Sequence, residues 1–300
     1  MKILLFGKSG QVGWELQRSL APLGEIIARD EHSTGLCGDF TDLDGIAATV
    51  RAVSPDVIVN AAAHTAVDKA ESEPDIVHTI NASAPGLLAA EAKRINALLV
   101  HYSTDYVFDG SGDRPWVEPD ATAPLSVYGA TKLEGEKLIQ QSGCKHVIFR
   151  TSWVYGARGG NFAKTMLRLA AERDSLSVID DQIGAPTGAD LLADVTAHAI
   201  RDTIRQPELI GLYHLVAAGE TSWYGYASFV LDFALRSGVT LKVKPEDIKA
   251  VPTSEFRAAA KRPLNSRLDC GKLKKAFDLH LPHWQIGVER MLTEILDKQA

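Results

Sequence analysis

The sequence predicts an α/β protein built on a doubly wound parallel sheet, with a smaller α/β unit attached. Short apolar runs alternate with amphipathic segments through the first half of the chain, as in repeated strand–helix units. The apolar runs are nearly continuous, which is typical of strands buried on both faces. The length of 300 residues exceeds one average domain and leaves room for the second unit.

The elements of the first half follow in strand–helix order. The first helix places Val12, Leu16 and Leu20 on one face, the spacing that a packed helix needs. Strands are predicted at Ile3–Phe6, Ile26–Ala28, Val57–Asn60, Leu98–Ser103 and His146–Arg150. Helices are predicted at Gln11–Leu23, Leu43–Val53, Asp75–Asn96 and Tyr128–Ser142.

The alternation weakens after Thr151. Strand-like Leu176–Ile179 and Tyr213–Val216 are expected to rejoin the sheet, whereas Leu241–Arg267 shows little periodicity. Further helices are predicted at Asn161–Glu172, Ala189–Arg205, Tyr224–Ser237 and Gly287–Lys298. We therefore assign residues 1–152 to the first domain, with returning segments near 175–182 and 189–220, and residues 153–174 and 221–300 mainly to the second.

Composition and charge argue against several classes of protein. The net charge is −6, so there is no basic surplus to bind a nucleic-acid backbone. No apolar stretch approaches the length of a membrane span, and Gly7 and Lys8 interrupt the apolar start too early for a signal peptide. The three cysteines are far apart and predict neither a disulfide framework nor a metal site. We expect a cytoplasmic protein with no nucleic-acid or membrane partner.

A glycine-rich loop, Gly7-Lys-Ser-Gly10-Gln-Val-Gly13, lies between the first strand and the first helix. Glycines let a backbone turn sharply and approach a pyrophosphate, which the helix N-terminus then attracts. The spacing is GxxGxxG and not the commoner GxGxxG, and a tight turn without a ligand is the alternative. In this strand–helix context the loop predicts a dinucleotide site.

Residues at the next strand ends extend the predicted dinucleotide site. Asp30 ends the second strand, where a carboxylate bonds adenosine ribose hydroxyls, while the adjacent Arg29 suits a 2′-phosphate. The sequence therefore does not decide between NADH and NADPH as the cofactor. Asp39 and Phe40 are candidates to flank the adenine, and the small residues of Asn60–Thr65 permit close passage of a ligand.

Tyr128 and Lys132 form a Y-x-x-x-K pair at the start of a predicted helix, where residues four apart share a face. A tyrosine hydroxyl ordinarily has a pKa of about 10. A nearby ammonium, an oxidised nicotinamide and a helix N-terminus all favour phenolate, so we expect a lowered pKa for Tyr128. An ordinary amphipathic pair is the alternative for the spacing alone.

The segment before this pair ends a strand in hydroxyl side chains, His101-Tyr-Ser-Thr104-Asp-Tyr-Val-Phe108. The carboxyl end of a parallel strand is where an α/β sheet presents side chains to a ligand. Thr104 is therefore expected to bind a substrate oxygen beside Tyr128, with strand-end capping as the alternative. The glycine loop, Thr104 and the Tyr–Lys pair occur in the order that an oxidoreductase of this fold requires.

On these residues the chain resembles the extended short-chain dehydrogenase/reductase family, with a Rossmann-like nucleotide domain and a smaller α/β substrate domain. Within it, the chain is most similar to reductases of dTDP-linked keto sugars. The resemblance covers nearly the whole chain and rests on the segments Gly7–Gly13, Cys37–Phe40, Asn60–Lys69, His101–Phe108, Tyr128–Lys132, Phe149–Tyr155, Asn161–Leu167, Asp181–Thr187, Gly211–Leu215 and Arg262–Leu268.

The resemblance implies roles for individual residues. Tyr128 would donate the proton, with Lys132 as its partner and Thr104 as the third catalytic group. Cofactor contacts would come from these Tyr and Lys residues and from Gly7, Gly10, Gln11, Val12, Gly13, Asp30, Asp39, Phe40, Ala63, His64, Thr65 and Tyr102. The sugar nucleotide would contact Thr104, Asp105 and Trp153. A surface or capping residue is the alternative for His64.

Two of the proposed substrate contacts also follow from the residue types. Trp153 follows the His146–Arg150 strand at the ligand edge of the sheet, where an indole can stack on a sugar or thymine ring. A core aromatic is the alternative. Arg262, with Lys261 and Arg267, suits a diphosphate in an otherwise acidic chain, or else belongs to a solvated basic loop.

The resemblance further implies a homodimer that reduces a dTDP-linked keto sugar for cell-surface polysaccharide synthesis. Mg²⁺ is associated with some members of the family. Glu15 and Asp190 are the candidate carboxylates for such an ion, but ordinary surface carboxylates on helices are the alternative, and no metal site is assigned.

Three neighbouring functions compete with a reductase. Sugar 4,6-dehydratases place a Glu after the Thr-Asp pair, where this chain has Tyr106, so the acid–base pair that eliminates water is incomplete. A 4-epimerase needs the same Tyr and Lys and stays open. A non-catalytic regulatory subunit, like that of methionine adenosyltransferase, would have no need of the intact Thr104–Tyr128–Lys132 set.

Overall fold

The computed structural model describes residues 1–297, and its secondary structure alternates as the sequence predicts through the first half. Strands lie at Lys2–Phe6 (β1), Glu25–Arg29 (β2), Val57–Asn60 (β3), Leu98–Thr104 (β4), Lys145–Thr151 (β5), Val154–Tyr155 (β6), Leu176–Ile179 (β7), Ile183–Gly184 (β8), Thr187–Gly188 (β9), Gly211–His214 (β10), Thr221–Ser222 (β11) and Ile248–Val251 (β12). The five strands predicted in the first half are confirmed within one residue at each end.

The helices connect these strands. They span Gln11–Leu20 (α1), Leu43–Val53 (α2), Val67–Ala70 (α3), Pro74–His78 (α4), Ala84–Ile95 (α5), Val127–Ser142 (α6), Phe162–Glu172 (α7), Ala189–Arg205 (α8), Trp223–Arg236 (α9), Gly271–Phe277 (α10) and Trp284–Leu296 (α11). A π-helical turn at Thr79–Ser83 joins α4 to α5. The predicted end of the last helix at Lys298 lies outside the described residues. None of the helices in residues 1–297 has the length and apolar character needed to cross a membrane.

Side-chain caps begin several of these helices. Asp42 accepts from the Gly45 amide at the start of α2, and Ser126 accepts from the Gly129 amide at the start of α6. Asn161 and Ser222 cap α7 and α9 in the same way. These residues satisfy amide groups that the first helical turn leaves without a partner, so the helix starts are encoded locally.

The central sheet has six parallel strands in the order β2-β1-β3-β4-β5-β10, which confirms the predicted doubly wound class. After β1 the chain adds β2 on one side and then crosses to add β3 on the other. The order therefore reverses beside β1. In open parallel sheets the ligand crevice lies at the carboxyl ends of the strands next to such a reversal.

Apolar side chains cover both faces of this sheet. On β1, Ile3 and Leu5 pack with Leu16 of α1 and Leu192 of α8, in one buried cluster. The alternate residues Leu4 and Phe6 belong to a second cluster with side chains of α2 and α5. Burial on both faces explains why the strand sequences are continuous apolar runs.

The second half departs from the prediction at one strand. β7 does not rejoin the central sheet: it pairs in parallel with β12, so the expected return of Leu176–Ile179 is wrong. Leu176 and Val178 are buried in a third apolar cluster, with Val230 and Ile248. This cluster is separate from the two that cover the central sheet. The partner strand β12 lies within Leu241–Arg267, whose weak periodicity concealed it. β10 does extend the central sheet at its edge. The division into two domains at residue 152 stays a prediction.

Candidate active site

The glycine loop is shaped by close backbone contacts at the end of β1. Gly7 has φ +83°, and a Cβ there would lie 2.7 Å from the backbone of Ala61 and Ala62. A Cβ on Gly13 would lie 1.9 Å from the Gly7 carbonyl oxygen. Gly10 begins α1 without a side-chain cap, which leaves the first-turn amides for another acceptor. A loop that requires glycine at Gly7 and Gly13 and an uncapped helix N-terminus suit a dinucleotide pyrophosphate.

Asp30 lies at the end of β2 and is held by its own turn. Its Oδ1 accepts from the Ser33 hydroxyl at 2.8 Å and the His32 amide at 3.2 Å, and the Lys8 Nζ is 3.8 Å away. Burial opposes ionisation, but hydrogen bonds from Ser33 and Ser9 and the Lys8 charge outweigh it and lower the pKa of Asp30. The carboxylate is therefore charged at neutral pH and partly neutralised by its neighbours.

Asp39 and Phe40 have local roles in the structure. The Asp39 carboxylate accepts from the amide and hydroxyl of Thr41. Phe40 is buried and packs edge-on against Phe6, with the ring centroids 5.3 Å apart. Neither side chain lines the cleft described next, and their proposed contact with the adenine stays a prediction.

The carboxyl ends of β1, β3, β4 and β5 and the start of α6 enclose a cleft of about 450 Å³. It brings together most of the predicted site residues and leaves out Gly7, Gly13, Asp30, Asp39, Phe40, His64 and Arg262. The predicted residues that line it are Gly10, Gln11, Val12, Ala63, Thr65, Tyr102, Thr104, Asp105, Tyr128, Lys132 and Trp153.

Thr104 and Tyr128 meet because α6 packs directly against the end of β4. A Cβ on Gly129 would lie 2.2 Å from the Tyr106 carbonyl oxygen, so glycine permits this approach. The Thr104 hydroxyl donates to Asp105 Oδ1 at 3.1 Å, accepts from the Tyr106 amide at 3.2 Å and hydrogen-bonds Tyr128. The two hydroxyls therefore stand side by side at the floor of the cleft.

The expectation of a lowered pKa for Tyr128 is wrong for this structure. Burial raises the pKa of Tyr128 to about 12, against the hydrogen bond between Tyr128 and Thr104 and with a further increase from the Asp105 charge. The Lys132 amine donates to the Tyr102 carbonyl oxygen at 2.5 Å, so one of its N–H groups is directed at the backbone of β4. Tyr128 is held protonated at neutral pH, which suits a proton donor.

Lys132 is buried beneath the cleft. Burial lowers the pKa of Lys132 to about 8, against the opposing charge of Glu136 one helical turn away. Glu136 is itself buried and accepts from Arg150 through both oxygens, at 2.9 and 2.7 Å. As a consequence, the Lys132 ammonium loses its charge at moderately alkaline pH.

Several polar atoms in the cleft have no hydrogen-bond partner within the described chain. They are the hydroxyls of Ser103, Thr151 and Ser152 and the Oδ2 of Asp105. Burial raises the pKa of Asp105 to about 6, against hydrogen bonds from Ser266 and Thr104. Because buried polar groups are costly without partners, these four atoms are available to a polar ligand or to water.

Trp153 forms one wall of the cleft in a strained backbone conformation. Its φ is +51°, a region that a bulky residue rarely adopts, and such strain concentrates at functional sites. The indole stacks on Trp223 with ring centroids 3.6 Å apart. Trp223 lines the same cleft, and no sequence motif marks it because only tertiary packing brings α9 to this edge.

The remaining predicted residues lie at the border of the cleft or away from it. The His64 amide and carbonyl bond Asn81, and its Nδ1 is buried without a partner in the described chain. Arg262 pairs with Asp68 at 2.6 Å and also contacts Tyr106. Arg267 pairs with Glu220, which directs it elsewhere.

The two candidate carboxylates for Mg²⁺ each have an arginine partner. Glu15 contacts Arg18 at 3.3 Å, and Asp190 contacts Arg290 at 3.1 Å. Across residues 1–297 no group of three or more His, Cys, Asp or Glu side chains is arranged to hold a metal ion. These residues do not fit a magnesium site in this chain, and we assign no step to a metal.

The fold and the cleft together define a nicotinamide-dependent oxidoreductase of the short-chain type. Residues 1–296 match the family described as RmlD substrate binding domain. The dTDP-4-dehydrorhamnose reductase of Escherichia coli (strain K12) is 59% identical over 300 residues and covers 100% of both chains. That of Salmonella typhimurium is 61% identical over 295 residues, 98% of each chain. The chain belongs to the dTDP-4-dehydrorhamnose reductase family.

A solved structure supports the same assignment. The dTDP-4-dehydrorhamnose reductase of Bacillus anthracis str. Ames, in complex with NADP, superposes with a TM-score of 0.86 at 36% identity. The match covers 98% of this chain and 99% of that one. The likeness therefore extends over the nucleotide-binding half and the second half alike.

Proposed function

We propose that the protein reduces the C4 ketone of dTDP-4-dehydro-L-rhamnose to give dTDP-L-rhamnose, with NADPH or NADH as the electron donor. The observation that carries the proposal is that Thr104, Tyr128 and the buried Lys132 line one cleft at the carboxyl ends of the sheet strands. By likeness to the family we further propose a cytoplasmic homodimer that supplies cell-surface polysaccharide synthesis, including that of O-antigen.

The chain's own residues account for the proton in this reaction. A bound nicotinamide supplies the hydride to the C4 carbon. Thr104 turns its one hydroxyl proton from Asp105 to the ketone oxygen, where it and the Tyr128 hydroxyl polarise the carbonyl. Tyr128 transfers its proton to that oxygen as the alcohol forms. The Lys132 ammonium stabilises the phenolate left behind, since an opposite charge favours the ionised form.

The other lining residues suit the sugar nucleotide. The Trp153–Trp223 wall offers an aromatic face to a sugar or thymine ring. The unpartnered hydroxyls of Ser103, Thr151 and Ser152 are placed to bond sugar hydroxyls. Arg262 is proposed to meet the diphosphate, in exchange for part of its contact with Asp68.

A cofactor-oxidation assay tests the proposal. We expect NAD(P)H consumption with dTDP-4-dehydrorhamnose, one equivalent for each product formed, and much slower turnover with GDP- and UDP-linked keto sugars. Product without net cofactor consumption would indicate an epimerase instead. Inactivity with all of these sugars would contradict the proposal and favour a non-catalytic binding role.

A further inference from the structure

His101 contacts the amine of Lys132 from beneath the cleft. It lies on β4, three residues before Thr104, and only 1% of its surface is exposed. Its Nε2 is 3.3 Å from the Lys132 Nζ, and its Nδ1 is 3.0 Å from the Asn60 Nδ2 on β3. Nothing in the proposed proton transfer uses this imidazole.

The partners of Asn60 determine which nitrogen of His101 carries the proton. The Ala62 amide donates to the Asn60 Oδ1 at 3.0 Å, and an amide N–H can only donate. The other end of the Asn60 side chain, the NH₂ group, therefore faces His101 and donates to Nδ1. Burial, and secondarily the charge of Lys132, hold the pKa of His101 far below its usual value, so the ring is neutral. A neutral ring that accepts at Nδ1 carries its hydrogen on Nε2.

The Nε2–H group consequently points at the Lys132 amine. An ammonium has three donors and no acceptor, so a charged Lys132 would meet His101 donor to donor. A neutral amine has a lone pair that accepts from Nε2–H. We propose that His101 is a positioning residue that sets the charge of Lys132, because Asn60 locks the imidazole in the tautomer that favours the neutral amine. The inference rests on the proposed function for its catalytic consequence; the tautomer rests on the hydrogen bonds of Asn60 and on the burial of the His101 ring.

The other groups around Lys132 do not cancel this effect. The Tyr102 carbonyl of β4 accepts from the amine in either charge state. Glu136 of α6 favours the ammonium, but Arg150 of β5 binds both of its oxygens and opposes that influence. On the cleft side, Tyr128 lies one helical turn before Lys132 on α6, and Asp105 acts on Tyr128.

The pH profile of the reaction separates this role from a structural one. The pKa of Lys132 is about 8, so the ammonium is present below that pH and is lost above it. We therefore expect kcat/KM to fall as the pH rises through the pKa of Lys132. In His101→Gln the amide oxygen can accept from the ammonium and favours it. We therefore expect the alkaline limb to move upward by roughly one pH unit, the equivalent of one hydrogen bond.

A second variant keeps the imidazole and reverses its tautomer. In Asn60→Asp the group that faces Nδ1 becomes an acceptor, so the hydrogen moves to Nδ1 and the Nε2 lone pair faces Lys132. We expect the alkaline limb to move upward here as well. His214→Gln is the matched control, since His214 is a buried histidine of β10 that bonds the Trp116 carbonyl and not Lys132. It is expected to lower thermal stability and to leave the limb unmoved.

Nitrogen NMR measures the tautomer without any substrate. With ¹⁵N-labelled histidine, long-range ¹H–¹⁵N correlations should place the His101 proton on Nε2 in the wild type and on Nδ1 in Asn60→Asp. A wild-type proton on Nδ1 would overturn the inference even if the enzyme is active. An alkaline limb that stays in place in both folded variants would also overturn it. Loss of the proposed sugar activity, by contrast, would leave the tautomer result standing.

Discussion

The predicted site has two halves that are built in different ways. The proposed adenosine half comprises Gly7–Gly13 and Asp30, which lie within one β-α-β unit; Gly10, Gln11 and Val12 line the cleft, and Gly7, Gly13 and Asp30 lie outside it. The catalytic half comprises Thr104, Asp105, Tyr128 and Lys132, which come from a strand end and a helix that are distant in sequence.

The electrostatics of the two halves differ as well. Asp30 keeps the lowered pKa of a paired carboxylate in its turn. In the catalytic half, burial raises the pKa of Asp105 to about 6 and that of Tyr128 to about 12, and lowers that of Lys132 to about 8. Burial shifts the pKa values of all three groups in the catalytic half, and we expect substitutions there to have the larger effects.

The catalytic half is tested most directly by Tyr128→Phe. Loss of the proton donor should reduce kcat by about 10²- to 10⁴-fold, the usual contribution of a general acid. NAD(P)H binding, followed by fluorescence, should change little because the adenosine half is intact. Tyr213→Phe removes a hydroxyl that bonds the Leu209 carbonyl away from the cleft, and should keep activity. Substantial turnover by Tyr128→Phe would contradict the mechanism.

The buried Glu136–Arg150 pair supports Lys132 from below, and Glu136→Gln tests that support. The change leaves the Arg150 charge buried without its carboxylate, which should lower the free energy of unfolding by about 3–5 kcal/mol. Urea denaturation measures the loss. Glu172→Gln breaks the exposed pair with Arg168 and should cost less than about 1 kcal/mol. Equal losses in the two variants would show that burial of the pair is unimportant.

Asp105 should make stability depend on pH. Its folded-state pKa of about 6 exceeds the ordinary value of 3.8, so the native protein binds more protons than the unfolded chain between these values. The free energy of unfolding should fall as pH rises through this window. Asp105→Asn should remove that dependence and be more stable at pH 7 by about 2–3 kcal/mol, as two pKa units imply. A wild-type stability that rises over the window relative to the variant would refute the assignment.

The adenosine half should respond least, and Asp30→Ala measures how much. Removing the carboxylate takes away an acceptor for ribose hydroxyls and a charge that repels a 2′-phosphate. Because Lys8 and Ser33 already offset that charge, we expect only about a three- to tenfold shift in favour of NADPH over NADH. Comparison of kcat/KM for the two cofactors gives the ratio. A shift toward NADH would mean that Asp30 does not face the adenosine ribose.

The two halves also differ in how far the sequence predicts them. The glycine loop followed from local spacing, since strand, turn and helix are adjacent in the chain and close backbone contacts require glycine at Gly7 and Gly13. The Tyr–Lys spacing and the order of Thr104 before it were also visible. The buried environment of Tyr128 and Lys132 was not visible in the sequence. Burial raises the pKa of Tyr128, whereas the sequence predicted a lowered pKa.

The sequence by itself determined the doubly wound sheet, its first five strands and the family, because apolar periodicity and local motifs can be read from residues that are neighbours in the chain. Only the tertiary structure decided that β7 pairs with β12, that Trp223 stacks on Trp153, and that His101 and Asn60 stand behind Lys132. Each of these depends on which distant segments come into contact and on how far burial removes water. Desolvation and hydrogen-bond direction are properties of that packed arrangement, and residue spacing does not carry them.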